Sequence, residues 1–362
     1  MALSGNKGEW SEIYVFLRLL AEGRLFAADE QQNRIKNVFL PIIKILREET
    51  AGSKYEYRLN QETSEVVIFL NGKKIFSLPV KIFNDEAERL FSDIYRCGTG
   101  EGAFEIPGTE TFIKSIFINK LKAPSKDKSD ITIQIHDINT GFENIVGFSI
   151  KSDLGSPPTL LNASKSTNFI FEVKGLPEAE IPVINSIDKD TTKTKIIDRI
   201  NAIKHKGGEL VFEKIASKKF EQNLIMIDSQ MAIIAAEMLK VFYCKHIIKC
   251  SQLAEEVIKI NPLNQRKEFY IHKIKELLCA SALGMKPATV WDGKEEANGG
   301  YIIVKKDGVI VAYHIYNRNL FTDYLFQNTQ LVQPGTTKND YCLLYKENGN
   351  IYIKLNLQIR FI

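Results

Sequence analysis

No uninterrupted apolar run in this chain reaches about 18 residues, so the sequence offers no helix able to span a bilayer. The start, MALSGNKGEW, lacks the apolar stretch of a secretory signal, and none is expected. Five cysteines, at positions 97, 244, 250, 279 and 342, contain no CxxC pair. That argues against a zinc framework and for reduced, structural thiols in a cytoplasmic protein. No GxxxxGK phosphate loop occurs, and Gly207-Gly208 reads as a turn. His205, His246, His272 and His314 show no metal or base–nucleophile spacing. There is no internal repeat and no low-complexity tract. Charge of one sign is not in excess either: the net charge is +4. A nucleic-acid partner is permitted but not demanded, because a local basic surface matters more than the total.

What is present is an ordinary globular composition. The chain has 362 residues, 44% hydrophobic and 25% charged, enough for two domains or one elaborated domain. Residues 9–22 read as a largely buried helix whose polar stripe is Ser11, Arg18 and Glu22. Glu9 points opposite that stripe and Glu12 lies about 100° from it, so both acids need a partner or a task. Residues 38–49 are ambiguous between strand and helix because of Pro41. Residues 55–59, 65–71 and 73–80 read as strands, the last two joined at Asn71-Gly72. Helices are expected over 83–96 and 109–121, and 122–129 is a polar connection. A strand is expected over 168–175, helices over about 228–249 and 265–284, and hairpins around Asp307-Gly308 and Asn348-Gly349. The change of character places a domain boundary near residue 225, giving 1–225 as a catalytic core and 226–362 as a helical and β region for DNA recognition. Trp10 and Trp291 read as core.

The chemistry concentrates between Ser129 and Asn168. Asp130 opens the alternating strand DITIQIHD, and Ser149-Ile150-Lys151 closes the next strand. Alternation puts Ser149 and Lys151 on one face, with Phe148 and Ile150 on the other. Cutting a phosphodiester needs a divalent cation, oxygen ligands to hold it, and a positive charge near the attacking water or phosphate. Asp130 supplies a carboxylate and Lys151 the fixed charge. Ser149 stands where an acid would serve better, so a compensating carboxylate should come from the buried side of the first helix; Glu12 is favoured over Glu9. His136 and Asp137 lie at the far end of the Asp130 strand. Many hairpins carry an exposed Asp and Lys for solubility alone, so a lone D…SxK match is weak. A rival ExK exists in Glu172-Val173-Lys174 with Asp153 upstream, but Asp153 falls in a loop beside Gly155 and two prolines, and the SIK site is preferred.

The blocks GNKGEWSE (5–12), DITIQIHD (130–137) with GFSIKSDLGSPPTLLNAS (147–164), and LNLQIRF (355–361) resemble the HpaII-type restriction endonucleases, within the PD-(D/E)xK nuclease superfamily. The resemblance runs from residue 5 to the C-terminus. It implies an α/β fold: a restriction-endonuclease-like core with a mixed β-sheet flanked by helices, here followed by a C-terminal helical and β-hairpin region. It also implies Mg²⁺-dependent hydrolysis of double-stranded DNA. Asp130 matches the metal-binding Asp, Lys151 the Lys, Glu12 the helix-borne Glu, and Ser149 takes the slot of the second acid. The implied activity is that of a type II restriction endonuclease leaving 5′-phosphate and 3′-hydroxyl ends. CCGG, the target of the name-giving member, is the expected site. A cognate DNA methyltransferase is the implied functional partner, and a palindromic target favours a two-fold dimer, a monomer acting strand by strand being the alternative. Two other readings stay open at this stage: a structure- or damage-directed repair nuclease, and a DNA-binding protein whose site has decayed at Ser149.

Residues suited to contact DNA follow the lysine strand directly. Ser156, Thr159, Asn162, Ser164 and Asn168 offer hydroxyl and amide groups for phosphates and base edges. The C-terminal region offers Arg318, Gln327, Asn328, Thr329, Thr336, Lys338, Gln358 and Arg360. Alternation puts Asn356, Gln358 and Arg360 on one face, opposite Leu355, Leu357, Ile359 and Phe361, so that one face packs and the other meets DNA or solvent. Lysines at 205–219 and 240–249 are phosphate candidates, although a Lys-rich helix surface is usually only solvated.

Overall fold

The computed structural model describes residues 2–97, 102–122, 129–138, 140–188, 192 and 194–362. Most of the expected polar connection at 122–129 lies outside the described residues. Two compact units emerge. The first is Met1–Pro158 with Glu295–Phe321; the second is Thr159–Lys294 with Thr322–Ile362. The expected boundary near residue 225 is therefore replaced by one at Thr159 with a later return to the first unit. The reason is non-local pairing. The Gly300–Val304 strand runs parallel beside the Glu143–Ser152 strand, with Tyr301 opposite Ser149 and Ile303 opposite Lys151, and draws its hairpin into the first sheet.

In the first unit a nine-stranded mixed sheet is built around a buried helix, Lys7–Glu22. The helix starts in a capping box: the Asn6 side chain accepts from the Glu9 amide, and the Glu9 carboxylate accepts from the Asn6 amide at 2.8 Å. It ends at Gly23, whose φ of 65° is the left-handed conformation that suits glycine. Trp10, Ile13, Val15, Leu17 and Leu20 are fully buried beneath the sheet's apolar face. The predicted polar stripe holds for Arg18 and Glu22, which pair at 2.9 Å, but not for Ser11. Ser11 is fully buried, its hydroxyl satisfied by the Lys7 carbonyl at 2.7 Å and by Ser152 Oγ at 2.8 Å.

The ambiguous segment is a long strand, Arg34–Glu48, in which Pro41 sits opposite Arg24. Its pairing with Arg24–Ala28 closes six strands into a ring, since Arg24–Ala28 also meets the Ile310–His314 strand. The strands at 54–60, 65–70 and 73–79 extend the sheet outward as expected, and the helix Val80–Arg96 follows them. The helix expected over 109–121 stops at Ser115: Phe117 adopts φ 69° and the Ile118 amide bonds back to the Ile113 carbonyl.

The second unit has two sheets of its own. Asn168–Lys174 lies between Glu209–Ile215 and Asn350–Asn356, the latter completed by Leu344–Glu347. Ile359–Phe361 lies between Thr159–Leu161 and Thr329–Leu331. Helices Lys195–His205, Lys218–Ile227, Met231–Lys245, Cys250–Ile260 and Lys267–Leu283 complete the unit. Among the described residues no disulfide is formed, and Cys250, Cys279 and Cys342 are buried. Trp10 is core as expected; Trp291 is only half-buried, its indole donating to the Lys294 carbonyl. Among the described residues no helix is long and apolar enough to cross a membrane.

At one end of the ring a cavity of about 580 Å³ is lined in part by Asp137 and His314. His314 is 5% exposed; Nδ1 accepts from the Tyr316 amide at 3.1 Å, and Nε2 has no hydrogen bond. Burial pushes its pKa down to about 4, against the pull of Asp137. The unfolded chain takes up this proton near pH 6.5, so stability is constant above that value and is lost as the pH falls from 6.5 toward 4. The loss is on the order of 3 kcal/mol. Urea melts at pH 7.5 and 4.5 should show it in the wild type, with a clearly smaller pH difference in His314→Gln.

Candidate active site

Asp130 directly precedes the Ile131–His136 strand and is fixed from both ends. Its amide donates to the Phe148 carbonyl at 2.8 Å. Its Oδ2 accepts from Ser149 Oγ at 3.0 Å and from the Ile150 amide at 2.7 Å. Oδ1 carries no hydrogen bond among the described residues. Antiparallel pairing with Ile131 opposite Phe148 sets this register, and Phe148 and Ile150 enter the core as alternation requires. Ser149 and Lys151 lie on the other face, where Tyr301 of the parallel neighbour places its ring 5.1 Å from Lys151 Nζ. An aromatic face attracts an ammonium and limits its rotamers.

The first helix brings the second carboxylate. The Ser11–Ser152 contact ties the helix turn that carries Glu12 to the strand that carries Lys151. Glu12 is half-buried and has no hydrogen-bond partner among the described residues. Burial first, and then the negative charge of Asp130, push its carboxyl up to about 8, against Lys122 and Arg47. Burial pulls the Lys151 ammonium below its ordinary range, while Asp130 and Glu12 act in the opposite direction. The three groups therefore share one field. Arg47 is itself nearly buried; it pairs with Glu49 and donates to the Lys120 carbonyl, anchoring the 119–121 segment to the long strand. Glu9, the alternative helix acid, is occupied by the helix cap and lies 3.7 Å from Lys122.

The remaining sequence-level candidates separate. His136 and Asp137 sit at the other end of the six-residue strand, about 20 Å from Asp130 at strand rise. In the rival tripeptide, Glu172 and Lys174 belong to the second unit and pair with each other at 3.7 Å, whereas Asp153 belongs to the first.

Several residues read as facing DNA are inside the second unit instead. Asn168 is 1% exposed, and its amide donates to the carbonyls of Asn339 and Asp340. Asn356 is fully buried, donating to Asn168 Oδ1 at 2.6 Å and to the Ser164 carbonyl. Gln358 is 8% exposed and Thr329 is buried. The expected single open face does not form, because the strand ends at Asn356 and a new one, Ile359–Phe361, starts in another sheet; Tyr243, on the Met231–Lys245 helix, donates to the Asn356 carbonyl. Ser164 caps a short 3-10 turn. Arg318 belongs to the first unit, paired with Glu295 at 3.1 Å. Ser156 and Asn162 are exposed, and Thr159 and Arg360 are half-buried and pair across their strands. Of the candidate lysines, Lys206, Lys240 and Lys245 are held by Glu180, Glu237 and Glu256.

The donor set fits a hard cation: Glu12 and Asp130 offer carboxylate oxygens left unbonded, and Ser149 a hydroxyl. Among the described residues no group of three or more His, Cys, Asp and Glu side chains gathers, so such an ion would keep several waters, as Mg²⁺ prefers.

The model of the HpaII restriction endonuclease family matches residues 6–361 of this chain. The type II restriction enzyme HpaII of Haemophilus parainfluenzae is 41% identical over 365 residues, spanning 99% of each chain. No solved structure gives a significant match.

Proposed function

This chain belongs to the HpaII restriction endonuclease family and is a site-specific deoxyribonuclease; on that premise we propose that Glu12, Asp130, Ser149 and Lys151 form its catalytic site. The observation that carries this reading is the convergence of Glu12 and Lys151 on an Asp130 held by Ser149 and the Ile150 amide. Glu12, Asp130 and Ser149 would hold Mg²⁺, directly or through water. When bound, the ion polarises the phosphoryl group and lowers the pKa of a water. Lys151 places a positive charge beside the phosphate, where negative charge grows during attack, or orients the attacking water. The Tyr301 ring restricts its ammonium, and the Ser11–Ser152 contact keeps Glu12 in register with it. The products carry 5′-phosphate and 3′-hydroxyl ends.

The nine-stranded sheet with its buried helix serves as a PD-(D/E)xK core, and the second unit contributes DNA recognition. CCGG is the target, a two-fold dimer matches its symmetry, and a methyltransferase of the same specificity protects the host DNA in the cytoplasm. A digest of unmethylated plasmid DNA of known sequence with Mg²⁺ tests this. Discrete bands with the sizes of the CCGG map are expected. Discrete bands of other sizes refute the target alone, and a smear refutes fixed specificity.

A further inference from the structure

We propose that a row of side chains across the small sheet of the second unit reads the target, with Arg360 on a guanine and Gln330 on its paired cytosine. This rests on the reading that the chain cuts a G·C target.

Strand register assembles the row. Thr159 lies opposite Arg360, Arg360 opposite Gln330, and Gln330 opposite Lys249 through an isolated bridge. Directly opposed residues of antiparallel strands share a face. A hydroxyl, a guanidinium, an amide and an ammonium therefore stand abreast. Ile359, Phe361 and Leu331 are buried in the packing of the other face. Thr159, Arg360 and Gln330 are half-buried and Lys249 is exposed.

The row is electrostatically incomplete. No carboxylate among the described residues pairs with Arg360 or Lys249. Arg360 Nε is buried without any hydrogen bond. A half-buried guanidinium that lacks an acceptor calls for one from outside the chain. Most other cations of this unit have acids beside them, Lys245 and Lys259 with Glu256 among them.

The size and chemistry favour DNA. Three inter-strand gaps of about 4.8 Å span about 14 Å. Four base pairs are three steps of about 3.4 Å, about 10 Å from centre to centre, so the ends of the row reach past them toward the flanking phosphates. Arginine donates in a fork to guanine O6 and N7. The Gln330 carboxamide oxygen accepts from cytosine N4, and its neighbour reads the partner base. Thr159 and Lys249, at the two ends, suit phosphate oxygens.

The test is a cleavage profile of the wild type, Arg360→Lys and Gln330→Ala over duplexes carrying CCGG and every single-base change in it. A bidentate pair at a base edge carries discrimination of about tenfold or more at its position. The expected result is discrimination at one base-pair position and its symmetry mate reduced tenfold or more, with discrimination at the other pair retained. Rates lowered equally on every duplex would mark Arg360 as a phosphate contact and overturn the proposal. Unchanged profiles would overturn it as well. Should Arg360→Lys fail to fold, Gln330→Ala decides the matter. If the wild type cuts a sequence other than CCGG, the target reading fails by itself, and the row is scored on that sequence.

Discussion

Lys151→Ala should lower the single-turnover rate of DNA cleavage by about 10²–10³-fold, the usual consequence of removing one preorganised group that stabilises transition-state charge. Affinity for the uncut duplex should change little. In the proposed site Lys151 is a single charge at one phosphate, whereas the phosphate contacts that dominate affinity are spread along a bound duplex. The fold should survive. Lys151 is drawn out of water and its ammonium is disfavoured there, and the replacement leaves the backbone pairing with Ile303 intact. Gel-shift binding and cleavage of one labelled duplex, measured on the same preparation, give both quantities. Parallel loss of binding and cleavage would point to a folding role for the lysine.

Glu12→Gln and Glu9→Ala should part company. Glu12 is the unbonded carboxyl coupled to Asp130, so its replacement removes one of the two carboxylate ligands proposed above. Losing an outer-shell partner alone costs about 10–100-fold in metal affinity or activity, and loss of a ligand should cost at least as much. Stability should be unchanged or raised, because burial and Asp130 already disfavour the charged form of Glu12. Glu9→Ala removes half of a capping box and should cost about 1 kcal/mol or less of stability while leaving cleavage near the wild-type level. Thermal melts and cleavage rates of the two variants separate the roles. Activity loss in Glu9→Ala with normal activity in Glu12→Gln would exchange them.

The strand pair that carries Asp130 and Lys151 was legible in the sequence because strand periodicity is short-range and unambiguous. Once Asp130 and Lys151 are on adjacent strands, alternation alone assigns their faces. The helix acid was harder. Helical pitch left both Glu9 and Glu12 on non-polar sides, and only the pairing of Glu9 with Asn6 distinguishes them. That pairing has a local signature, Asn6-Lys7-Gly8-Glu9, the Asx counterpart of a capping box. The errors share a cause in non-local packing. Alternation treats 355–361 as one strand but cannot see that the chain leaves one sheet at Asn356 and enters another at Ile359. Ser11 reads as solvent-facing until Ser152 is seen beside it. Gln330 and Lys249 escaped notice because a three-residue strand and a single bridge leave no periodic trace. The parallel seating of 300–304 beside 148–152, which moves the unit boundary, is equally invisible to local pattern.

The most direct test of the catalytic assignment compares Lys151→Ala with Lys174→Ala in single-turnover cleavage of one target duplex under saturating Mg²⁺. The two lysines close the two competing tripeptides and differ only in setting. This account predicts a rate reduced by about 10²–10³-fold for Lys151→Ala and a rate near wild type for Lys174→Ala. Near-normal cleavage by Lys151→Ala together with collapse in Lys174→Ala would contradict it and move the active site to the Asn168–Lys174 strand.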